Sequence, residues 1–205
     1  MKKGDDYLVL NNAGLPIPIF GVFDSSCLND ERKKADLRMC VQRILAEGSH
    51  LIGVRTEPMT ALSPLGNYPH YMPLRTFEEV VEVIKQNEVE RPQCRWWYLV
   101  NEAFLDYEWN AVVKVAQEGV LPGHWLLEGE INATDNVPLR PALNNSEHVF
   151  RARDWKGNDA ASVRKLILRS GLLNKWLEIS KVRTPAGTRL IFWGMRRSTA
   201  PTYLR

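Results

Sequence analysis

The sequence predicts an α+β protein with mixed or antiparallel sheets and flanking helices. Three observations carry that expectation. Apolar residues recur at helical spacing in three separate segments. Apolar runs bounded by Gly, Pro and Asn recur between and beyond them, as strands do. Neither an internal repeat nor a low-complexity tract interrupts this mixture.

Tyr7 to Asp24 reads as extended segments around a turn at Asn12-Ala13-Gly14, because Pro16 and Pro18 exclude a helix. Asp30 to Glu47 is a helix with Leu37, Val41, Ile44 and Leu45 on one face, capped by Asn29 or Asp30 and stopped at Gly48. His50 to Arg55 is a short apolar strand suited to a central position. Thr56 to Pro73 has four prolines and no period, so it reads as a long loop. Thr76 caps a second helix over Phe77 to Gln86, with Glu78 and Glu79 in its first turn.

Arg95 to Glu102 and Trp109 to Gln117 read as consecutive strands, with Trp125 to Ile131 a third. A helix from Asn158 or Asp159 to about Arg169 turns Val163, Leu166 and Ile167 inward. Trp176 to Val182 and Arg189 to Met195 flank Thr184-Pro185-Ala186-Gly187-Thr188, a hairpin signature. The expected division is an acidic lobe over 1–93, holding the long loop 56–73, and a second lobe over 94–205.

Charge is sorted along the chain. Val137 to Arg205 holds fourteen Lys and Arg against four Asp and Glu, whereas Met1 to Asn136 holds thirteen against twenty. Ten of those fourteen cations are arginines, whose planar fork pairs with carboxylate or phosphate. Two readings follow: an anionic ligand, phosphate above all, held by the basic third, or a basic third folded onto an acidic body. Arg140, Arg151, Arg153, Arg196 and Arg197 belong to this group, and Trp155 sits among them. Arginine with Trp suits a nucleotide or single-stranded nucleic acid, and it also arises where an aromatic packs beneath Arg stems.

Several chemistries are disfavoured. Three cysteines without CxxC spacing and four scattered histidines argue against a disulfide framework or a zinc site. There is no GxxxxGK phosphate loop and no GxSxG elbow. No apolar run approaches the ~18 residues of a membrane helix. Met1-Lys2-Lys3 leads into Gly-Asp-Asp rather than an apolar signal core, so a cytoplasmic location is expected. Arg55 ends an apolar strand, as an anion contact or as an ion pair with Glu57. Glu128 and Glu130 lie two apart on a strand, as a magnesium pair or as an exposed face, with Glu102 and Glu108 on the adjoining strands.

Several segments together resemble the ATP-grasp superfamily, above all its pyruvate-phosphate dikinase and phosphoenolpyruvate synthase relatives. Ala13-Gly14-Leu15-Pro16-Ile17-Pro18 is similar to that group's opening segment. His50 to Thr56 resembles the strand that delivers a phosphate-binding Arg or Lys, and Val100 to Glu108 resembles the adenine hinge. Ile191 to Arg197 occupies the place of the closing strand. The resemblance implies a compact two-lobed arrangement binding ATP, with magnesium as metal cofactor. Arg55, Arg140, Arg196 and Arg197 would neutralise phosphates, Glu102 would sit near the hinge, and Glu128 and Glu130 would hold the metal. One departure is sharp: the family's Glu and Asn magnesium ligands correspond to Trp193 and Met195, which offer no oxygen. Weak or lost metal-dependent catalysis is therefore expected. A nucleic-acid module without chemistry, or docking to an acidic protein, are the alternatives.

Overall fold

Antiparallel pairing gathers nine strands of the described residues into two sheets. The computed structural model describes residues 3–59, 69–117, 125–132, 149–152 and 157–196. Contacts divide the chain into two units, Met1–Asp5 with Pro18–Leu105, and Asp6–Ile17 with Asp106–Arg205.

In the first unit, strands β1 (Phe20–Asp24), β2 (Ile52–Pro58), β3 (His70–Leu74) and β4 (Trp96–Glu102) form a sheet in the order β1-β4-β2-β3. Helices α2 (Glu31–Glu47) and α3 (Phe77–Glu90) cover one face. Both begin where the sequence provides a cap. Asp30 Oδ1 accepts from Arg32 and Lys33 N–H at 2.9 and 3.2 Å. Thr76 and Glu79 complete a capping box. Leu37, Val41 and Ile44 of α2 and Val80 and Ile84 of α3 pack against Ile52, Val54, Trp96, Tyr98 and Val100.

In the second unit, β5 (Tyr107–Gln117), β6 (Trp125–Asn132), β7 (Val149–Ala152), β8 (Trp176–Thr184) and β9 (Gly187–Arg196) run in the order β7-β6-β5-β8-β9. Helix α4 (Asn158–Ser170) sets Ala160, Val163 and Ile167 against Ala111, Val113, Leu177, Ile179 and Phe192. The expected hairpin closes between Thr184 and Gly187.

Four expectations are corrected. Residues 3–12 form helix α1 (Lys3–Asn12), not an extended segment. The prolines that exclude a helix lie beyond its end, where Gly14 takes φ +71° and the Leu15 N–H returns to the Leu10 carbonyl at 3.0 Å. From Asp6 onward α1 belongs to the second unit, with Tyr7 and Leu10 fully buried. Second, both ends of the 56–73 segment are strand: β2 runs on to Pro58, and β3 starts at His70 after Pro69 accepts from Thr56 N–H at 3.1 Å and from its hydroxyl at 3.0 Å. Third, β4 and β5 are consecutive in sequence but pair in different sheets. The units therefore divide after Leu105, whereas the sequence suggested 93, because β4 lies between β1 and β2 and supplies the first core. Last, α3 extends four residues beyond Gln86, to Glu90.

Candidate functional site

Strand alternation gives β2 two unlike faces. Ile52, Val54 and Thr56 are buried on the helix-covered side. Gly53, Arg55 and Glu57 alternate with them and take the other. The register sets His70 of β3 opposite Arg55, and Asn101 of β4 opposite Gly53. Gly53 has no side chain to fill the space between its neighbours. A Cβ there would lie 3.5 Å from Asn101 Oδ1 and 3.5 Å from His70 Nε2.

The polar groups around this hollow are incompletely bonded. Arg55 Nε is buried without a hydrogen-bond partner, and so is Asn101 Oδ1, on a residue only 3% exposed. Asn101 Nδ2 is spent on the Glu102 carbonyl at 2.6 Å. Among the described residues no carboxylate forms an ion pair with Arg55, so the expected pairing with Glu57 is not seen there. Glu57 instead accepts the Lys3 N–H at 3.3 Å. A buried guanidinium edge without an acceptor is costly unless something else satisfies it, and an anion does so best. Burial and then the Arg55 charge push the His70 imidazole down to about 4. His70 is exposed on β3, so the burial contribution is discounted and the Arg55 repulsion remains.

Glu102 faces the other way. It is fully buried, its Oε2 accepts from Ile19 N–H at 3.3 Å, and its own N–H donates to the Ile19 carbonyl at 2.8 Å. Its carboxylate thus ties β4 to the approach of β1 inside the first unit. The expected grouping of Glu102 with Glu108 does not form on one hairpin, since the two belong to different sheets.

In the second unit Glu108 is paired with Lys181 at 2.8 Å, and Lys181 also meets Asp159 at 3.0 Å. These carboxylates raise the Lys181 pKa. Burial pushes the Asp159 carboxyl up, but the Trp109 indole N–H and Lys181 outweigh it, and the net shift is downward. On the opposite face, Trp193 Nε1 donates to Ser180 Oγ at 2.7 Å, which donates to Asn110 Oδ1 at 2.5 Å. Met195 packs against the apolar cluster under α4.

The positions suggested for metal ligands therefore hold an indole bonded into a hydroxyl–amide chain and a core thioether. They do not fit a magnesium centre. Among the described residues, no three His, Cys, Asp or Glu side chains gather around a common point. For Glu128, Glu130 and Arg196 the backbone register alone is described: Glu128 stands opposite Lys114, Glu130 opposite Val112, and Arg196 opposite Trp176. Arg140 and Arg197 lie outside the described residues.

Three residues escaped the sequence reading. His70 meets Arg55, and Asn101 meets Gly53, only through strand pairing, which leaves no local signal. Glu178 had one: it is the sole Asp or Glu after Asp159 and sits between the buried Leu177 and Ile179. Its register partners are Val112 and Gly194, which puts it in one cross-strand row with Glu130.

No protein-family model matches the sequence, and no curated protein does. Solved structures do resemble the fold. D-alanyl-alanine synthetase A from Vibrio cholerae aligns with a TM-score of 0.52 at 11% identity, covering 95% of this chain and 54% of that one. The D-alanine-D-alanine ligase from Coxiella burnetii gives 0.51 at 16% identity, covering 95% and 47%. N5-carboxyaminoimidazole synthetase from Staphylococcus aureus gives 0.52 at 8% identity, covering 97% and 44%. These are ATP-grasp ligases, and the chain shares their fold while spanning about half their length. No helix among the described residues is long and apolar enough to cross a membrane.

Proposed function

We propose that this chain binds ATP as an ATP-grasp-type nucleotide-binding protein, with Arg55 as a phosphate contact of the first unit. The observation that carries the reading is the buried Arg55 Nε, without an acceptor, on the strand that resembles the family's phosphate-binding strand. The shared fold supports it. Arg140, Arg196 and Arg197 are the second unit's candidate phosphate contacts, with Glu128 and Glu130 the candidates for a metal. Glu102, near the hinge by resemblance, contributes through its backbone position rather than its inward carboxylate. The chemistry served is ligase-like, as in the structural relatives; kinship with the dikinases rests on the sequence segments alone. Arginine's contribution is electrostatic, neutralising phosphate charge where water is partly excluded.

A thermal-shift series with ATP, beside an oligonucleotide of equal phosphate concentration, tests this. ATP at about 100 times its Kd stabilises by about 2.7 kcal/mol. Arg55→Gln should remove most of that shift while leaving the ligand-free Tm within a degree or two. A shift with the oligonucleotide and none with ATP would assign the basic residues to nucleic acid instead.

Magnesium dependence is expected to be weak, because Trp193 and Met195 stand where oxygen ligands would be required. Titration calorimetry of ATP with magnesium and then with EDTA should give affinities within about tenfold of each other. A larger gain from the metal, abolished by Glu128→Gln with Glu130→Gln, would assign a working metal site to β6.

A further inference from the structure

We propose that Arg55 and His70 form a proton-linked phosphate subsite on the face of the first sheet opposite α2 and α3, where His70 takes up a solvent proton as the phosphate binds. The proposal deepens the ATP reading above and rests on it for the molecule that carries the phosphate. The groups come from three strands. Arg55 and His70 are register partners on β2 and β3, and Gly53 opens the space that reaches from His70 Nε2 to Asn101 Oδ1 on β4.

Two buried polar atoms on these strands lack partners, in complementary senses. Arg55 Nε is a donor with no acceptor, as an anion requires. Asn101 Oδ1 is an acceptor with no donor, and His70 Nε2 lies beside the same glycine, each atom 3.5 Å from the position of a Gly53 Cβ. Without ligand, burial and the Arg55 charge keep the ring neutral at pH 7. A phosphate dianion at Arg55 reverses the local field, and an opposite charge at close range favours the charged imidazole.

Among the described residues, Arg55 is the one charge facing His70 from β2. Gly53 and, from β4, Leu99, Asn101 and Ala103 are neutral. Along β3 its neighbours are Tyr71 and Met72. Glu57, further along β2, is engaged with Lys3 N–H.

Linkage gives the sign. Binding that takes up a proton tightens as pH falls, by up to tenfold per unit, between the bound and free pKa values. Calorimetry at about pH 7.5 and about pH 6 should therefore show ATP binding roughly tenfold tighter at the lower pH, after subtraction of the same change in His70→Gln. That subtraction removes the titration of ATP's own terminal phosphate, whose pKa is about 6. Runs in two buffers of different ionisation enthalpy should show proton uptake in the wild type and its loss in His70→Gln. Gly53→Ala provides an independent arm: its Cβ makes ordinary contacts, so Tm should hold while ATP affinity falls several-fold at both pH values.

Equal pH dependence in wild type and His70→Gln, or full ATP affinity in Gly53→Ala, overturns the subsite and leaves the ATP reading standing. Absence of ATP binding at either pH overturns the ATP reading. Sulfate, a tetrahedral dianion that does not titrate in this range, then tests the subsite alone. A stabilisation that grows at lower pH in the wild type and not in His70→Gln supports it, and one that is alike in both proteins overturns it.

Discussion

Glu102→Ala is expected to destabilise the protein by about 3 kcal/mol, through the emptied volume and the unpaired Ile19 N–H. The residue is 0% exposed, and its carboxylate accepts that N–H at 3.3 Å. The fit is close on the other side as well, since a Cβ at Gly48 would come within 3.0 Å of the carboxylate. Urea denaturation should show the midpoint falling without a change in m. Glu102→Gln keeps the shape and one acceptor oxygen, so it should lose about 1 kcal/mol. ATP affinity, measured well below the melting range, should survive in Glu102→Gln. An unchanged midpoint together with lost ATP binding would make the carboxylate a ligand contact and not an internal brace.

Legibility followed how local each signal was. Asp30 and Thr76 announce their helices because a cap is a short-range hydrogen bond written into neighbouring residues. The Thr184–Gly187 turn announces its hairpin for the same reason. Helix α1 was hidden because Leu8, Val9 and Leu10 are apolar in succession, like a strand, although Tyr7 and Leu10 alone of that run are buried while Leu8 and Val9 are 49% and 41% exposed. Sheet membership is a long-range choice. Nothing near Leu105 says that β4 will pair with β1 and β2 while β5 pairs with β6 and β8. The Arg55 hollow inherits that difficulty: resemblance pointed to the arginine, but His70 stands opposite it from 15 residues away in the chain, and Asn101 stands opposite Gly53 from 48. That Trp193 and Met195 offer no oxygen to a hard cation was legible at once, because it depends on side-chain chemistry alone.

Whether the closing strand can hold a metal can be decided by placing oxygen ligands at those two positions. Trp193→Glu with Met195→Asn is expected to destabilise the second unit by about 4 kcal/mol and to leave ATP binding indifferent to magnesium. Met195 packs its partly buried side chain against the cluster that includes Leu177, Ile179 and Phe192, so an amide there gives up apolar contact. Its backbone N–H is separately held by Asp6 at 3.3 Å and should persist. Trp193 fixes Ser180, which in turn fixes Asn110, and both of these are buried. Removing the indole leaves that pair with an acceptor open and a void beside it. The two changes are close enough to couple, so the single variants are needed to apportion the loss. Thermal melts of all three proteins, each with and without magnesium and ATP, give the answer. A double variant that melts like the wild type and gains tenfold in ATP affinity with magnesium would mean that the closing strand still holds a metal-site geometry. A cooperative loss of stability with no metal effect means that these two side chains serve the packing of the second unit.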